Sequence, residues 1–377
     1  MPTPVTARIA DGVASIPAKL WDACAGSGNP FLSHAFLSAL EESGSATSQT
    51  GWQPLPIVID GPDGAPAAIA PAYGKSHSQG EYVFDHAWAD AWERAGGRYY
   101  PKLQVAAPFT PVPGPRLLLR DPALAPALIA GVEAVVDQNG LSSAHATFVD
   151  AAQLPLFEQA GWLVRAGTQF HWQNYGYRSF DDFLAALSSR KRKAIRKERE
   201  RATDGLTIRH LTGAEITEAH WDAFWVFYQD TGSRKWGRPY LTRSFFSLLG
   251  ERLGDNVLLM LAERDGRPIA GALNLIGADA LYGRYWGCTQ DVPFLHFELC
   301  YYQAIEAAIA RGLPRVEAGA QGEHKLARGY VPVTTWSAHY LPDPNFRRAV
   351  AEYLEREKAA VAHEQNYLGE LTPFRRG

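Results

Sequence analysis

Cysteine is scarce in this chain of 377 residues, which has only Cys24, Cys288 and Cys300. Three cysteines cannot build the disulfide framework of a small secreted protein, and their scarcity favours a reducing compartment. No apolar run reaches the roughly 18–20 residues that a membrane span requires. The segment Met1–Ala18 also lacks the basic stretch and apolar core of a signal peptide. The sequence therefore predicts a cytoplasmic protein without a transmembrane segment.

Net charge is low as well, because 37 Lys and Arg oppose 40 Asp and Glu, a formal charge of −3. The 46% hydrophobic content excludes a disordered polyampholyte, which would contain fewer apolar residues. At about 100–200 residues per domain, the length predicts two domains. Aromatic residues make up 12% of the chain, which suits an aromatic-lined interior.

One segment departs from this mild charge. Residues 190–201 read RKRKAIRKERER, with eight basic residues and two glutamates. They continue a helix predicted over 179–202, which Ser179 can cap with Asp182 three residues on. The apolar positions that repeat with the helical period are Phe180, Phe183, Leu184, Leu187, Ala194 and Ile195. The cationic surface can bind tRNA or another anionic surface, with steep salt dependence, or be a solvated helix face. Both interpretations stay open.

The same order of elements is predicted on either side of this helix: a three-strand antiparallel meander, a helix and a further strand. The first set is predicted at 55–60, 67–73, 103–107, 123–138 and 144–149. The second set is predicted at 257–263, 268–276, 280–287, 297–310 and 316–320. Such an order gives mixed α/β sheets with helices on their faces. We therefore predict an internal duplication with domains at 1–178 and 179–377.

The loop PFTPVPGPRLLL (108–119) lies between the first meander and its helix. Its prolines fix the backbone, Gly114 permits close approach of a ligand, and Arg116 carries a fork that matches phosphate or carboxylate. Prolines lack the amide donors of a phosphate cradle, and no P-loop or dinucleotide-binding motif is present. The alternative is a rigid connection with an ordinary surface arginine.

The corresponding segment of the second half, 283–306, places His296 and Glu298 at the first turn of a helix. The helix dipole there favours a carboxylate or an incoming anion, and Tyr302 follows Glu298 on the same helix face. Glu298 could equally do no more than stabilise the helix start. The spacing of Cys288, His296 and Cys300 matches no tetrahedral zinc pattern, so no metal site is predicted.

The densest polar cluster is VEAGAQGEHKLARGY, at 316–330. Glycine-rich loops at strand ends present side chains to a cleft, and a carboxylate beside a histidine suits acid–base chemistry near neutral pH. The polar residues of this cluster are Glu317, Gln321, Glu323, His324 and Lys325. The alternative is a solvated turn. Without a GxSxG motif a covalent nucleophile is disfavoured, and direct attack by the substrate is expected.

Taken together, these segments resemble the FemAB-like family of N-acyltransferases in the GNAT superfamily, labelled peptidoglycan biosynthesis/recognition. The matching segments of the first half are NPFLSHAFLSALE (29–41), TGWQP (50–54), GEYVFDHAWADAWE (80–93), YYPKL (99–103) and PFTPVPGPRLL (108–118). Those of the second half are SRKRKAIRKER (189–199), HFELCYYQAIE (296–306) and EAGAQGEHKLARGY (317–330).

The resemblance implies two tandem GNAT-like folds and the transfer of an acyl or aminoacyl group to an amine. An acyl-CoA thioester is the expected donor and a cosubstrate, with no tightly bound cofactor, although the pyrophosphate signature Q/R-x-x-G-x-G/A is absent. A Fem-type transferase that uses aminoacyl-tRNA on a cell-wall precursor is the alternative. A non-catalytic polyanion-binding module that uses residues 190–201 is a third.

Within the predicted transferase, Glu323 with His324 is the first choice of general base, and His296 with Glu298 the second. Backbone amides near Gly319–Gly322, or at the helix start before Glu298, would stabilise the oxyanion. The residues predicted to bind donor or acceptor are Lys102, Arg116, Gly114, Asp85, Trp88, Tyr100, Glu317, Gln321, Lys325 and Tyr302.

Overall fold

The computed structural model describes residues 5–236, 239–319, 322–371 and 373–375, with backbone only at 232–236 and 323. The chain divides into two compact units. Unit 1 comprises Met1–Gly167 with Thr334–His363, and unit 2 comprises Thr168–Val333 with Glu364–Gly377. Each unit therefore contains residues from both of the predicted halves, 1–178 and 179–377, because the chain enters unit 2 and later returns.

Fifteen strands are described. Strands β1 to β8 are Ala7–Ile9, Trp52–Pro54, Ile57–Asp60, Pro66–Ala70, Ala72–Lys75, Lys102–Val105, Leu118–Leu119 and Ala144–Val149. Strands β9 to β15 are Leu163–Gln173, Thr207–Leu211, Val257–Arg264, Arg267–Ile276, Ala280–Cys288, Arg315–Glu317 and Tyr330–Tyr340.

The α-helices lie between these strands and beyond the last one. Helices α1 to α6 are Ala18–Ala25, His34–Glu42, His86–Arg94, Ala125–Gln138, Leu154–Gln159 and Phe180–Ala186. Helices α7 to α12 are Ser189–Thr203, Glu218–Trp236, Arg243–Leu253, Leu295–Phe297, Gln303–Ala310 and Pro344–Glu370. A π-turn, Glu298–Tyr302, joins α10 to α11. Among the described helices, none is both long and apolar enough to cross a bilayer.

Unit 1 contains a four-stranded antiparallel sheet in the order β1-β3-β4-β7. Its second set of strands runs β2-β5-β6-β8, antiparallel except for the parallel pair β6 and β8. A parallel pair needs a crossover connection, and α4 lies in that connection. The residues of β15 that belong to unit 1 pair with the other edge of β8. The unit 1 core packs α4 side chains such as Leu128 and Val132 with Ile57, Leu103 and Val105 from the strands.

Proline explains why the predicted strand 67–73 is two strands. Pro71 lies between β4 and β5 and has no amide hydrogen to donate to a sheet, so the ladder is interrupted there. As a result β4 pairs in the four-stranded sheet whereas β5 pairs with β2 and β6. The predicted first meander at 55–60, 67–73 and 103–107 is therefore divided between two sheets.

Unit 2 follows the predicted order closely. Strands β10 to β13 form an antiparallel meander, and β14 then pairs in parallel with β13. The unit 2 part of β9 pairs with the other edge of β14. The helix α8 packs directly against β13. The two are so close that a Cβ at Gly287 would fall 1.9 Å from the carbonyl oxygen of Phe227.

The single helix predicted over 179–202 was wrong, because α6 and α7 are separate. Leu187 between them has extended backbone and forms a bridge with Phe374. The amide of Ser188 donates to the carbonyl of Pro373 at 3.0 Å, and Arg375 donates to the carbonyl of Ala186 at 3.1 Å. The C-terminal segment thus satisfies the backbone groups that a continuous helix would have paired internally.

Candidate active site

The sheet of unit 2 opens where β13 and β14 part. The two strands pair only through Ala280–Tyr282 and Arg315–Glu317, after which β14 ends and β13 continues to Cys288. Asn274 pairs with Gly283 and Leu273 with Tyr285, so Arg284 is the extra residue of a β-bulge. Among the described residues, the pairing of these two strands ends at Tyr282 and Glu317.

Glu317, at the end of β14, lies at this point and is 4% exposed. Arg315 Nε donates to its Oε1 at 2.9 Å, and Oε2 lies 3.8 Å from His171 Nε2. Oε2 has no hydrogen-bond partner among the described residues. Burial raises the pKa of Glu317 to about 7, and the pairing with Arg315 opposes that rise. A carboxyl group with such a pKa can accept a proton near neutral pH.

His171 is the neutral neighbour of this carboxyl group. Its Nε2 lies 3.1 Å from Oε1 of Gln169, two residues earlier on β9. Burial, together with the nearby charges of Arg315 and Lys325, lowers the pKa of His171 to about 3. The imidazole can therefore donate a hydrogen bond without adding a charge beside Glu317.

Lys325, predicted to bind an anion, is 1% exposed. Its Nζ donates to the carbonyl oxygen of Gly319 at 2.8 Å. Burial lowers the pKa of Lys325 to about 7, because an ammonium group is poorly solvated in the interior. The lysine therefore stabilises the loop that follows β14 while being only partly charged at neutral pH.

His324, half of the first-choice base, is an exposed side chain of the turn before β15. Its Nε2 lies 2.8 Å from the Tyr301 hydroxyl, and its ring lies 6.2 Å from that of His296. Burial raises the pKa of Tyr301, so its hydroxyl stays protonated and can donate to Nε2. Gln321 and the Glu323 side chain lie outside the described residues. The structure thus brings His296 and His324 together, and their catalytic roles stay predictions.

Glu298 and Tyr302, the remaining predicted residues of this helix, are both fully buried against α7. Arg199 donates to both oxygens of Glu298 at 2.9–3.2 Å and to Glu306 at 2.7 Å. Gln303 also donates to Glu298, at 2.6 Å. A carboxylate bound in this way stabilises the packing of α7 on the π-turn, which is the alternative role that the sequence left open for Glu298.

Glu198, the other inward-facing charge of α7, accepts from the Tyr302 hydroxyl and from Arg328 Nη2, the latter at 2.9 Å. Arg328 also lies over the Phe297 ring at 3.4 Å from its centroid. Ile195 and Ala202 complete the buried face of α7. Five cations of the helix are exposed, namely Arg190, Lys193, Arg196, Lys197 and Arg201, whereas Lys191 and Arg192 are half-buried.

Arg116 and Gly114, predicted to bind a ligand, lie in unit 1 and contact the protein itself. The Arg116 side chain donates to three backbone carbonyls, those of Thr147 at 2.6 Å, Val112 at 2.8 Å and Pro115 at 3.1 Å. Burial lowers the pKa of this guanidinium to about 9. Gly114 pairs with β8, and a Cβ there would fall 2.6 Å from Asn29 Nδ2. The close approach that glycine permits is thus to Asn29.

Lys102, Asp85, Trp88 and Tyr100 also lie in unit 1. Lys102 donates to Asp85, and Tyr100 forms a 2.8 Å hydrogen bond with Ser78. Trp88 packs edge-on against His339, with ring centroids 4.9 Å apart. In the described part of the chain, no group of three or more His, Cys, Asp or Glu side chains is placed to hold a metal ion.

Sequence reasoning did not select Glu198, Arg199 or His171. The two glutamates within the basic run were a signal that part of this helix faces the protein, since a purely solvated cationic face does not need acidic residues. This signal could have drawn attention to Glu198 and to its neighbour Arg199. The alternation of Gln169, His171 and Gln173 along β9 was a signal for His171, because every second residue of a strand shares one face.

The two units, each with a helix that connects parallel strands of a mixed sheet, define an α/β protein of acyltransferase-type fold. A family model described as peptidoglycan biosynthesis/recognition matches residues 12–376, and the chain belongs to this FemAB-like family. The predicted family is confirmed, as is the predicted mixed α/β fold with two GNAT-like domains.

Three solved structures illustrate the shared fold. FemX is 12% identical with a TM-score of 0.57, over 89% of this chain and 98% of FemX. L-PGS from Bacillus licheniformis is 12% identical with a TM-score of 0.51, over 87% and 98% of the two chains. A C-terminal DUF2156 domain from Agrobacterium fabrum, described as part of a lysylphosphatidylglycerol synthetase, is 11% identical with a TM-score of 0.53, over 90% and 95%. No curated protein matches the sequence significantly.

Proposed function

We propose that the protein transfers an acyl group from an activated ester or thioester to an amine of a peptidoglycan precursor, and that unit 2 carries the reaction. The observation that carries this proposal is the buried Glu317, whose Oε2 lacks a partner among the described residues, where β13 and β14 part. The family description supports the acceptor class, and the fold shared with FemX supports transfer chemistry.

In this reaction Glu317 acts as the general base. An alkylammonium with a pKa of about 10 is mostly protonated at pH 7, so its attack requires a proton acceptor. The ammonium gives one proton to Glu317, and the neutral amine then forms a C–N bond with the donor carbonyl. Collapse of the resulting oxyanion breaks the bond to the leaving thiolate or alkoxide, and the second proton of the nitrogen passes to that leaving group. His324, hydrogen-bonded to Tyr301, is the candidate to carry this second proton.

The acyl donor is either an acyl-CoA thioester or an aminoacyl-tRNA. Acyl-CoA is compatible with the GNAT-like fold, whereas the exposed cations of α7 favour an RNA donor because they can pair with phosphates. The neighbour from Agrobacterium fabrum is described as part of a lysylphosphatidylglycerol synthetase, and lysylphosphatidylglycerol is a lipid that carries an amino acid. Aminoacyl transfer is therefore the second candidate function, and it uses the same base and the same attack.

The test incubates the full chain with a synthetic peptidoglycan stem peptide that has one free amine, and detects the product by mass spectrometry. Separate reactions contain acetyl-CoA, a long-chain acyl-CoA or a mixture of aminoacyl-tRNAs, and the control peptide has its amine acetylated. We expect one donor class to modify only the free amine. We also expect Glu317→Gln and His324→Ala each to lower turnover about 100-fold, as loss of a general acid or base does.

Glu251→Gln is the matched control, because Glu251 is an exposed carboxylate of α9 in the same unit. It should leave turnover unchanged. Absence of product with every donor would contradict the proposed transfer. Full turnover in Glu317→Gln would remove Glu317 from the mechanism and leave Glu323 and His296 as the bases to test.

A further inference from the structure

Unit 1 contains a cavity of about 320 Å³ between the C-terminal end of α4 and the sheet face of β2 and β5. The end of β1 and the turn before β2 complete its walls. Ile9 of β1 lines the cavity and is 45% exposed, so the cavity is open to solvent. Small-molecule sites begin at about 300 Å³, and at roughly 30 Å³ per water-sized group this volume holds about ten non-hydrogen atoms.

The cavity begins where α4 and β1 stop touching. At Gly131 the helix lies against the strand, because a Cβ there would fall 2.8 Å from the Cβ of Ala7. Ile9 shares a strand face with Ala7, and Val135 lies about one helical turn beyond Gly131. Ile9 and Val135 are therefore the next positions of the strand and the helix, and both line the cavity.

Gly74 of β5 brings an apolar and a polar side chain together in the opposite wall. The point where its Cβ would lie is 3.2 Å from Leu55 Cδ1 and 3.9 Å from Gln53 Oε1. Gln53 is paired in register with Gly74, and its exposed amide can both donate and accept hydrogen bonds. A ligand in contact with Leu55 at this wall therefore has the Gln53 amide beside it.

Hydrogen bonds fix two of the segments that line the cavity. The turn Ser48–Thr50 is closed by Thr47, whose amide donates to Thr50 Oγ1 at 2.9 Å. Leu141, which follows α4, donates its amide hydrogen to the carbonyl of Val136 at 3.0 Å. The walls are therefore largely formed before a ligand arrives, and a preformed site loses little freedom on binding.

The cavity offers a ligand no ionic partner. Among the described residues that line it, Lys75 alone is charged. Lys75 pairs in register with Trp52, so both side chains lie on the sheet face opposite to that of Gln53. The Lys75 ammonium lies 3.7 Å from the centroid of the Trp52 ring and donates to the carbonyl of Gln79 at 3.3 Å. A charged ligand would lose hydration here without compensation, which is unfavourable.

We propose that this cavity binds an uncharged aliphatic amide. The aliphatic chain would cover Ile9, Leu55 and Val135, which are otherwise in contact with water. The amide of the ligand has one donor group and one acceptor group, and the Gln53 amide can pair with both. The site lies within unit 1 and does not depend on the transfer chemistry proposed for unit 2.

The experiment is isothermal titration calorimetry of the full chain at pH 8 with four probes. Hexanamide, sodium hexanoate and n-hexylammonium chloride share one chain length and differ in charge, whereas acetamide has the amide without the chain. We expect saturable binding of hexanamide alone, with a Kd of about 1 mM. Gln53→Leu removes the amide partner and should weaken binding of hexanamide about tenfold.

Gln138→Leu is the matched control, because Gln138 is an exposed glutamine of α4 outside the lining of the cavity. It should bind hexanamide as the wild type does.

A crystal of the wild-type chain soaked in hexanamide gives a second measurement that does not depend on the variants. Density for the aliphatic chain against Leu55 and Val135 is expected, with the amide group hydrogen-bonded to Gln53. Equal binding of hexanoate, hexylammonium or acetamide, unchanged affinity in Gln53→Leu, or only water in the cavity of the soaked crystal would overturn the proposal.

Discussion

Arg199 binds both oxygens of Glu298: its single Nε–H is shared between them at 3.0 and 3.2 Å, and Nη2 donates at 2.9 Å. One residue of a strongly basic helix is thereby tied to a fully buried carboxylate of the π-turn. The guanidinium also lies 4.4 Å from the centroid of the Phe180 ring. The charge run thus has two faces with different roles, and substitutions can separate them.

Replacing the inward-facing arginine should destabilise unit 2. In Arg199→Met, the buried Glu298 loses its strongest partner, a change that typically costs about 3–5 kcal/mol. The free energy of unfolding, measured in urea, should fall by that amount. Arg196→Met is the control, because the pair of Arg196 with Asp181 is exposed and should contribute less than about 1 kcal/mol. Equal small losses in both variants would contradict a structural role for Arg199.

Replacing outward-facing lysines should change binding and not stability. Lys193→Glu with Lys197→Glu alters two exposed side chains, so the free energy of unfolding should shift by only about 0.5 kcal/mol. Affinity for tRNA should fall, and its dependence on salt concentration should become less steep. Lys19→Glu with Lys358→Glu has the same charge change on exposed helical lysines and should bind as the wild type does. If both double variants bind tRNA as the wild type does, α7 is a solvated face.

The raised pKa of Glu317 predicts a particular dependence of stability on pH. Because the folded pKa of about 7 exceeds the ordinary value of 4.5, the folded state binds the proton more tightly. The resulting stabilisation is complete below pH 4.5 and is lost as the pH rises to 7, a change of up to about 3 kcal/mol. Glu317→Gln should lack this decline when unfolding is followed between pH 4.5 and 7.5. Parallel curves for the two proteins would contradict the raised pKa.

Arg116 should stabilise unit 1. In Arg116→Lys the shorter, unforked side chain cannot reach all three carbonyl groups, and an unsatisfied buried acceptor costs about 1–3 kcal/mol. The melting temperature should therefore fall by several degrees. Arg120→Lys is the matched control, since Arg120 pairs with Asp63 at the surface and should be nearly neutral. An unchanged melting temperature in Arg116→Lys would contradict this structural role.

Regular alternation and turn residues allowed the unit 2 meander to be predicted nearly residue by residue, as the observed strands Val257–Arg264 and Arg267–Ile276 show. The break at Leu187 was not predictable, because its cause is a pairing with Phe374 almost 190 positions away. The resemblance indicated which residues belong to a site. It could not indicate in which of the two units each of these residues lies. The contacts of Arg116 were equally hidden in the sequence, since its partner Thr147 lies far along the chain.

The passage of the chain between the units has a consequence for biosynthesis. Unit 1 lacks its last strand and the helix carrying Phe346 and Val350 until the second half of the chain has been made. The strand β8 therefore leaves the ribosome with one edge unpaired, while the whole of unit 2 up to Val333 is synthesised before the partner of that edge appears. Unit 1, whose synthesis begins first, is therefore completed only after most of unit 2 has been synthesised. A fragment ending at residue 178 should for this reason aggregate when expressed alone.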